Sequence, residues 1–183
     1  HEHSDQLEPA GQYRKKAYEL SRELHGDGSW KTADARLALE HVRRLAQLGE
    51  PQRKQLQRAW ILNERVWLLW RRGQAKQAVP LAQESVRIYG GILGEKNTHT
   101  LHALYNLAAQ YDSLTDYVRA EPVYRRVLKL YIELFGERDP RTALAWSNLG
   151  GMYQKIGDYD QALAMLLRAN AAFGETVGKL DSD

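Results

Sequence analysis

Shifted against itself by 42 residues, the chain meets its own residues again. Gly94 falls on Gly136 and Gly178, Ala78 on Ala120 and Ala162, and Tyr89 on Tyr131 and Phe173. Pro80 meets Pro122, Leu69 meets Tyr111 and Tyr153, and Gly73 meets Gly157 two periods on. Thr100 meets Thr142, and Asn106 meets Asn148. A fixed period of this length marks a stacked repeat array rather than a single closed core. It predicts two full repeats and most of a third over residues 59–183, and sets residues 1–58 apart as an N-terminal region. The linkers add a second regularity. Gly precedes Thr by six positions at 94–100 and 136–142, and Gly26 and Thr32 keep that spacing. Gly26 and Gly94 lie further apart than one period by about a helix, which predicts an inserted helix at residues 32–48.

Within a repeat the period is helical. Ala120, Val123, Tyr124, Val127, Leu128, Tyr131 and Leu134 follow the spacing of one helix face, as do Leu104, Leu107, Ala108 and Tyr111 in the preceding stretch. Each repeat therefore reads as two antiparallel helices. Chain reversals are expected at Arg72-Gly73, Leu114-Thr115-Asp116 and Ile156-Gly157-Asp158, with Asp116 and Asp158 as N-caps. Thr100 and Thr142 open the next pair after a Gly suited to the left-handed conformation. Pro80 and Pro122 fall inside predicted helices, where each removes one backbone hydrogen bond; their recurrence points to a shared late start or bend. Residues 10–24 (Tyr13, Ala17, Leu20, Leu24) read as one further helix. The sum is an all-α fold: a right-handed α-solenoid of stacked antiparallel pairs, about eight helices and no sheet.

Composition narrows the chemistry. With no Cys among 183 residues, disulfides, Cys-ligated zinc and thiol nucleophiles are excluded. No apolar run approaches the roughly 20 residues that span a bilayer. The first residues show no signal peptide, and a start at His1 suggests an excised fragment; a cytoplasmic location is the expectation. The net charge of +3 is spread among acids, so nucleic-acid binding is kept only as a minor alternative. His99 and His102 stand one turn apart without a carboxylate to complete a metal set, and no phosphate loop or nucleophile motif is present. No enzyme activity, cofactor or metal site is expected.

The run Trp146, Leu149, Gly150, Tyr153, followed by Ala162, Leu166 and Ala169, resembles the tetratricopeptide repeat. That family's usual period is about 34 residues. The longer unit here carries Leu-Tyr-Asn-Leu-Ala-Ala-Gln-Tyr (104–111), Ala-Glu-Pro-Val-Tyr-Arg-Arg-Val-Leu (120–128) and Leu-Phe-Gly-Glu-Arg-Asp-Pro (134–140). It is similar to the subtype of kinesin light chains and of many bacterial arrays. The resemblance implies a superhelix whose first helices line a concave groove, and a protein-interaction module that holds an extended peptide or partner helix there. It places Asn63, Trp67 and Trp70, then Tyr105, Asn106, Ala109 and Asp112, then Asn148, Gly151 and Lys155, on that surface.

In the resembled subtype an Asn at the place of Asn106 and Asn148 holds a peptide backbone, which an amide can do by donating and accepting at once. The competing reading is that both Asn satisfy neighbouring helices or solvent. In the first repeat Asn63 and Glu64 shift or break this ladder. A clamp for C-terminal carboxylates is not expected, because Trp67 and Asn148 replace an Asn and an Arg, and the Lys is missing at Asn63. Trp60, Trp67 and Trp70 share one helix face. They are read first as cover for the inserted helix (Leu39, Val42, Leu45), and otherwise as an aromatic anchor. The last helix is apolar nearly all round, so a further repeat or another copy of the chain is expected over Leu163 and Leu167. A spacer or oligomerisation segment for attached domains is the alternative function.

Overall fold

The computed structural model describes residues 2–177. Eight helices lie among them: α1 (Glu2–His25), α2 (Trp30–Gln47), α3 (Glu50–Arg71), α4 (Ala75–Leu93), α5 (Thr98–Ser113), α6 (Tyr117–Phe135), α7 (Pro140–Ile156) and α8 (Tyr159–Val177). No strand occurs among the described residues. No helix among them is long and apolar enough to cross a membrane.

The Gly-to-Thr spacing corresponds to one physical contact, made three times. The hydroxyl of Thr100 donates to the Gly94 carbonyl at 2.7 Å, that of Thr142 to Gly136 at 2.8 Å, and that of Thr32 to Gly26 at 2.8 Å. All three Thr are buried, and all three Gly hold positive φ, between 76° and 84°. Gly94 and Gly136 end a helix in a conformation that costs an L-residue free energy, and the Thr two turns on closes the linker. Side chains then cap the incoming helices: Asn97 accepts from the His99 N–H at 3.0 Å and Asp139 from the Arg141 N–H at 2.7 Å. Between the helices of a pair, Asp116 and Asp158 accept from the N–H groups of Arg119 and Gln161, as the sequence predicts. Gly73 and Gly157 take φ of 68° and 87°; the middle repeat places Thr115 there at φ 56°. Its hydroxyl donates to the Leu114 carbonyl at 2.7 Å.

Pro80 and Pro122 are each the sixth residue of their helix, exposed to solvent. The helices start before them, at Ala75 and Tyr117, so the late start is not observed. The lost hydrogen bonds belong to the carbonyls of Lys76 and Val118, two exposed residues near the helix start. The small residues at the repeat period are buried, with Ala78 and Ala120 fully enclosed. They let successive helices pack in the order α3 to α8 around one core.

The N-terminal hairpin departs from that order. α1 packs on α2, but α2 does not pair with α3; it reaches across to α6. Along its length, Asp34 meets the Arg141 guanidinium at 2.7 Å, and Leu37 enters the main core. One turn further on, the His41 ring lies 4.8 Å from His99 and 3.3 Å from the Asn97 amide. Arg44 then donates to the Ile92 carbonyl at 3.0 Å, and Leu45 packs beside Ala59, Leu62 and Leu93. An 18-residue helix is about 27 Å long, so α2 ties the start of α7 to the end of α4 and the core of α3. The ends of helices offer free carbonyls and capping groups, which suit the polar side chains of α2 better than a Trp surface. The expectation that Trp60, Trp67 and Trp70 cover the inserted helix is therefore corrected.

Two outcomes follow from these contacts. Thr100→Val keeps shape but leaves the Gly94 carbonyl without its buried donor, and is expected to cost about 1–2 kcal/mol in urea denaturation. The second concerns pH. Burial, then His99 and Arg14, pulls the His41 pKa down to about 4, and burial, then His102, lowers that of His99. Freed from the body, His41 takes up a proton near pH 6.5; docked, it does so only near 4. Docking of α2 is then complete above pH 6.5 and weakens as pH falls from 6.5 towards 4. Amide exchange in α1 and α2 should accelerate over that window before the rest of the chain responds, and His41→Gln should flatten the dependence.

Candidate functional site

The first helix of each pair is buried on the sides that meet other helices and open along one stripe. On α5 the open stripe is His102, Tyr105, Asn106, Ala109 and Asp112; Leu101, Leu104, Leu107, Ala108 and Tyr111 are buried. On α7 it is Leu144, Ser147, Asn148, Gly151 and Lys155. On α3 it is Trp60, Asn63, Glu64, Trp67 and Trp70, and the three Trp are 58%, 49% and 49% exposed. Apart from Lys155, which stands one place beyond the position of Asp112, the stripes correspond at the repeat period, so the Trp side chains belong to this surface. Leu144 was not singled out from sequence, although it stands one period after His102 and is half-exposed.

The rungs across the three helices can be read in order. One holds Trp60, His102 and Leu144. The next holds Asn63, Tyr105 and Ser147, with Glu64, Asn106 and Asn148 beside it. Asn63 thus aligns with Tyr105 rather than with the other two Asn. A third holds Trp67, Ala109 and Gly151, and a fourth Trp70, Asp112 and Gln154, with Lys155 next to it. The third rung falls from the largest side chain to none. A Cβ added at Gly151 meets no atom within 4 Å, whereas one at Gly150 would stand 2.9 Å from the Leu166 side chain. Gly150 is a packing residue between α7 and α8; Gly151 faces open space.

Polar groups join the helices along this surface. Lys155 on α7 pairs with Asp112 on α5 at 2.7 Å. Burial raises the Tyr105 pKa, with the neighbouring Asn148 opposing and Asp112 adding to the shift. Burial also raises the Tyr124 pKa, and Asp112 contributes there too. The Tyr105 and Tyr124 rings lie 6.2 Å apart. Three side-chain atoms on the stripes, Asn63 Oδ1, Asp112 Oδ1 and Asn148 Nδ2, are buried without a well-aligned hydrogen bond, although the Asn148 amide stands close enough to Tyr105 to lower its pKa. Each such atom costs on the order of 1–3 kcal/mol unless something bonds it. On α3, the Arg71 guanidinium stacks on the Trp67 ring at 4.7 Å.

The structure thus brings Tyr105, Asn148, Asp112 and Lys155 together and sets Asn106, Ala109 and Gly151 among them. Trp67, Trp70 and Asn63 form the α3 end of the same surface. Sequence reasoning missed the edge where α2 crosses, above all Arg141. Its guanidinium bonds both oxygens of the buried Asp139 at 2.9 Å, reaches Asp34, and lies 3.6 Å over the Phe135 ring. Among the described residues no group of three His, Asp or Glu side chains is placed to hold a metal ion.

No curated protein sequence matches the chain. Among solved structures, BtubC (BKLC) from P. vanneervenii superposes with a TM-score of 0.60 at 24% identity, covering 91% of this chain and 73% of that one. TPR-like repeats of kinesin light chain type from Podosopora anserina superpose with a TM-score of 0.59 at 16% identity, covering 94% of this chain and 89% of that one. At these identities the likeness concerns the fold, an all-α solenoid of the kinesin-light-chain repeat type. The family model described as "Tetratricopeptide repeat" matches residues 57–133 and 99–173, well over half of the chain. With the period, the clasped linkers and the helix pairs, that match makes this chain a member of the tetratricopeptide repeat family.

Proposed function

We propose that the open stripes of α3, α5 and α7 form a groove that holds an extended segment of a protein partner. Tetratricopeptide repeats are generally protein–protein interaction modules, which supports the class of partner. The observation that carries the finer reading is the recurrence of a partly open Asn at one place on successive first helices, Asn106 on α5 and Asn148 on α7. An Asn side chain both accepts and donates, as a peptide unit requires of its surroundings. Asn106 and Asn148 grip the partner backbone in this reading. Trp67, Trp70 and Tyr105 supply apolar contact, and the Asp112–Lys155 pair discriminates by charge. The falling rung from Trp67 through Ala109 to Gly151 leaves room for bulky partner side chains only towards α7. The reading gives the chain no catalytic role.

Peptides selected from a random display library against the chain provide the test. Combined Asn106→Ala and Asn148→Ala should weaken them at least about tenfold, the equivalent of roughly 1.4 kcal/mol, with helicity unchanged. Gly151→Trp fills the open rung without touching the core and should abolish binding of peptides with a large residue there. Failure to select any peptide, or affinities indifferent to all three changes, would favour a spacer.

A further inference from the structure

Each second helix of a pair is normally covered by the first helix of the pair that follows: α4 by α5 and α6 by α7. On α6 the side that meets α7 carries Glu121 and Arg125, which bond Tyr153, and the buried Leu128. α8 repeats α6 one period later and ends the described stack. Its Leu163 and Leu167 are 60% and 59% exposed, and Tyr159 is also open. At the other end, α3 is a first helix with no second helix before it, because the α1–α2 hairpin lies along the linker edge. Ala103, which is buried and packs with residues of α3 and α4, corresponds to Ile61, and the buried Gln110 corresponds to Leu68. Ile61 and Leu68 are almost half exposed. Among the described residues, the two halves of one kind of interface thus stand uncovered, one on α3 and one on α8.

The residues at the two ends match each other. Inside the chain, Tyr153 of α7 donates to Glu121 of α6 at 2.6 Å and accepts from Arg125. One pair earlier, Gln83 of α4 donates to Tyr111 of α5 at 2.8 Å. In both joints a polar group on the second helix meets a Tyr hydroxyl on the next. At the period, Glu121 and Arg125 become Leu163 and Leu167 on α8, and the Tyr becomes Leu69 on α3. Both sides of the open joint have lost their polar groups together, so neither would be left unsatisfied on closing. Charge agrees. The start of α6 lies by the end of α7, and the same alignment sets Asp158 of α8 near Arg72 of α3.

We propose that copies of this chain stack head to tail, the α8 face of one copy taking the α3 face of the next as α6 takes α7 within the chain. The contact is heterologous, so it extends into an open series rather than closing as a symmetric dimer. It is independent of the groove, whose residues it leaves free.

Sedimentation velocity from micromolar to near-millimolar concentration tests this with two variants. Leu163→Glu with Leu167→Glu blocks the α8 face; Ile61→Glu with Leu68→Glu blocks the α3 face. All four residues are exposed, and circular dichroism verifies that helicity is kept. The unaltered chain should form a concentration-dependent series of species. Each variant alone should be monomeric, and the two mixed in equal amounts should form a dimer and nothing larger, through the one intact face of each. A monomeric unaltered chain throughout the range would overturn the proposal. So would self-association of the Ile61/Leu68 variant alone, which would mean that α8 faces pair with each other, or a mixture that stays monomeric.

Discussion

A threonine hydroxyl buried against a glycine carbonyl six residues earlier fixes where each helix pair stops and the next begins. Gly94 and Gly136 turn the chain out of a second helix at a φ that glycine adopts without steric cost, and Thr100 and Thr142 hold the turn closed. A single hydrogen bond of this kind is worth about 1 kcal/mol net, yet a linker lacking it would bury an unmet carbonyl. The same clasp at Gly26 and Thr32 sets the α1–α2 hairpin. Because the clasp repeats, the relation between pairs repeats, and three first helices present corresponding residues to one side. The aligned open stripes are a consequence of that regularity.

The hairpin adds an element that a simple stack lacks. α2 runs against the order of the repeats and bonds to groups at the ends of their helices, through Asp34, His41 and Arg44. It joins α7 to α4, so opening of one joint in the stack is resisted by contacts to another. It also leaves the α3 face bare and its Trp side chains exposed. Surface ion pairs elsewhere, such as Lys96 with Glu133, contribute little by comparison.

Much of this was legible in the order of the residues. The period, the helix pairs, the N-caps at Asp116 and Asp158, and the Gly-to-Thr spacing can all be read without coordinates, because each is a local preference repeated. The open stripes on α5 and α7 were legible for the same reason. The docking of α2 was not: its contacts join residues 48, 56 and 107 positions apart, and no period relates them. The Trp stripe shows the limit differently. Helical spacing places Trp60, Trp67 and Trp70 on one face, but whether that face meets another helix depends on where the hairpin goes. Thr115 in place of a turn glycine likewise gave no sign that it takes positive φ.

Hydrogen exchange measured by mass spectrometry on Thr32→Val and Thr142→Val, side by side, tests most directly whether each clasp governs its own joint. The account predicts that Thr142→Val loses protection most in α6, α7 and α8 and least in α1, whereas Thr32→Val loses it most in α1 and α2 and least in α8. Equal loss across the whole chain in both variants, or no loss in either, would contradict it.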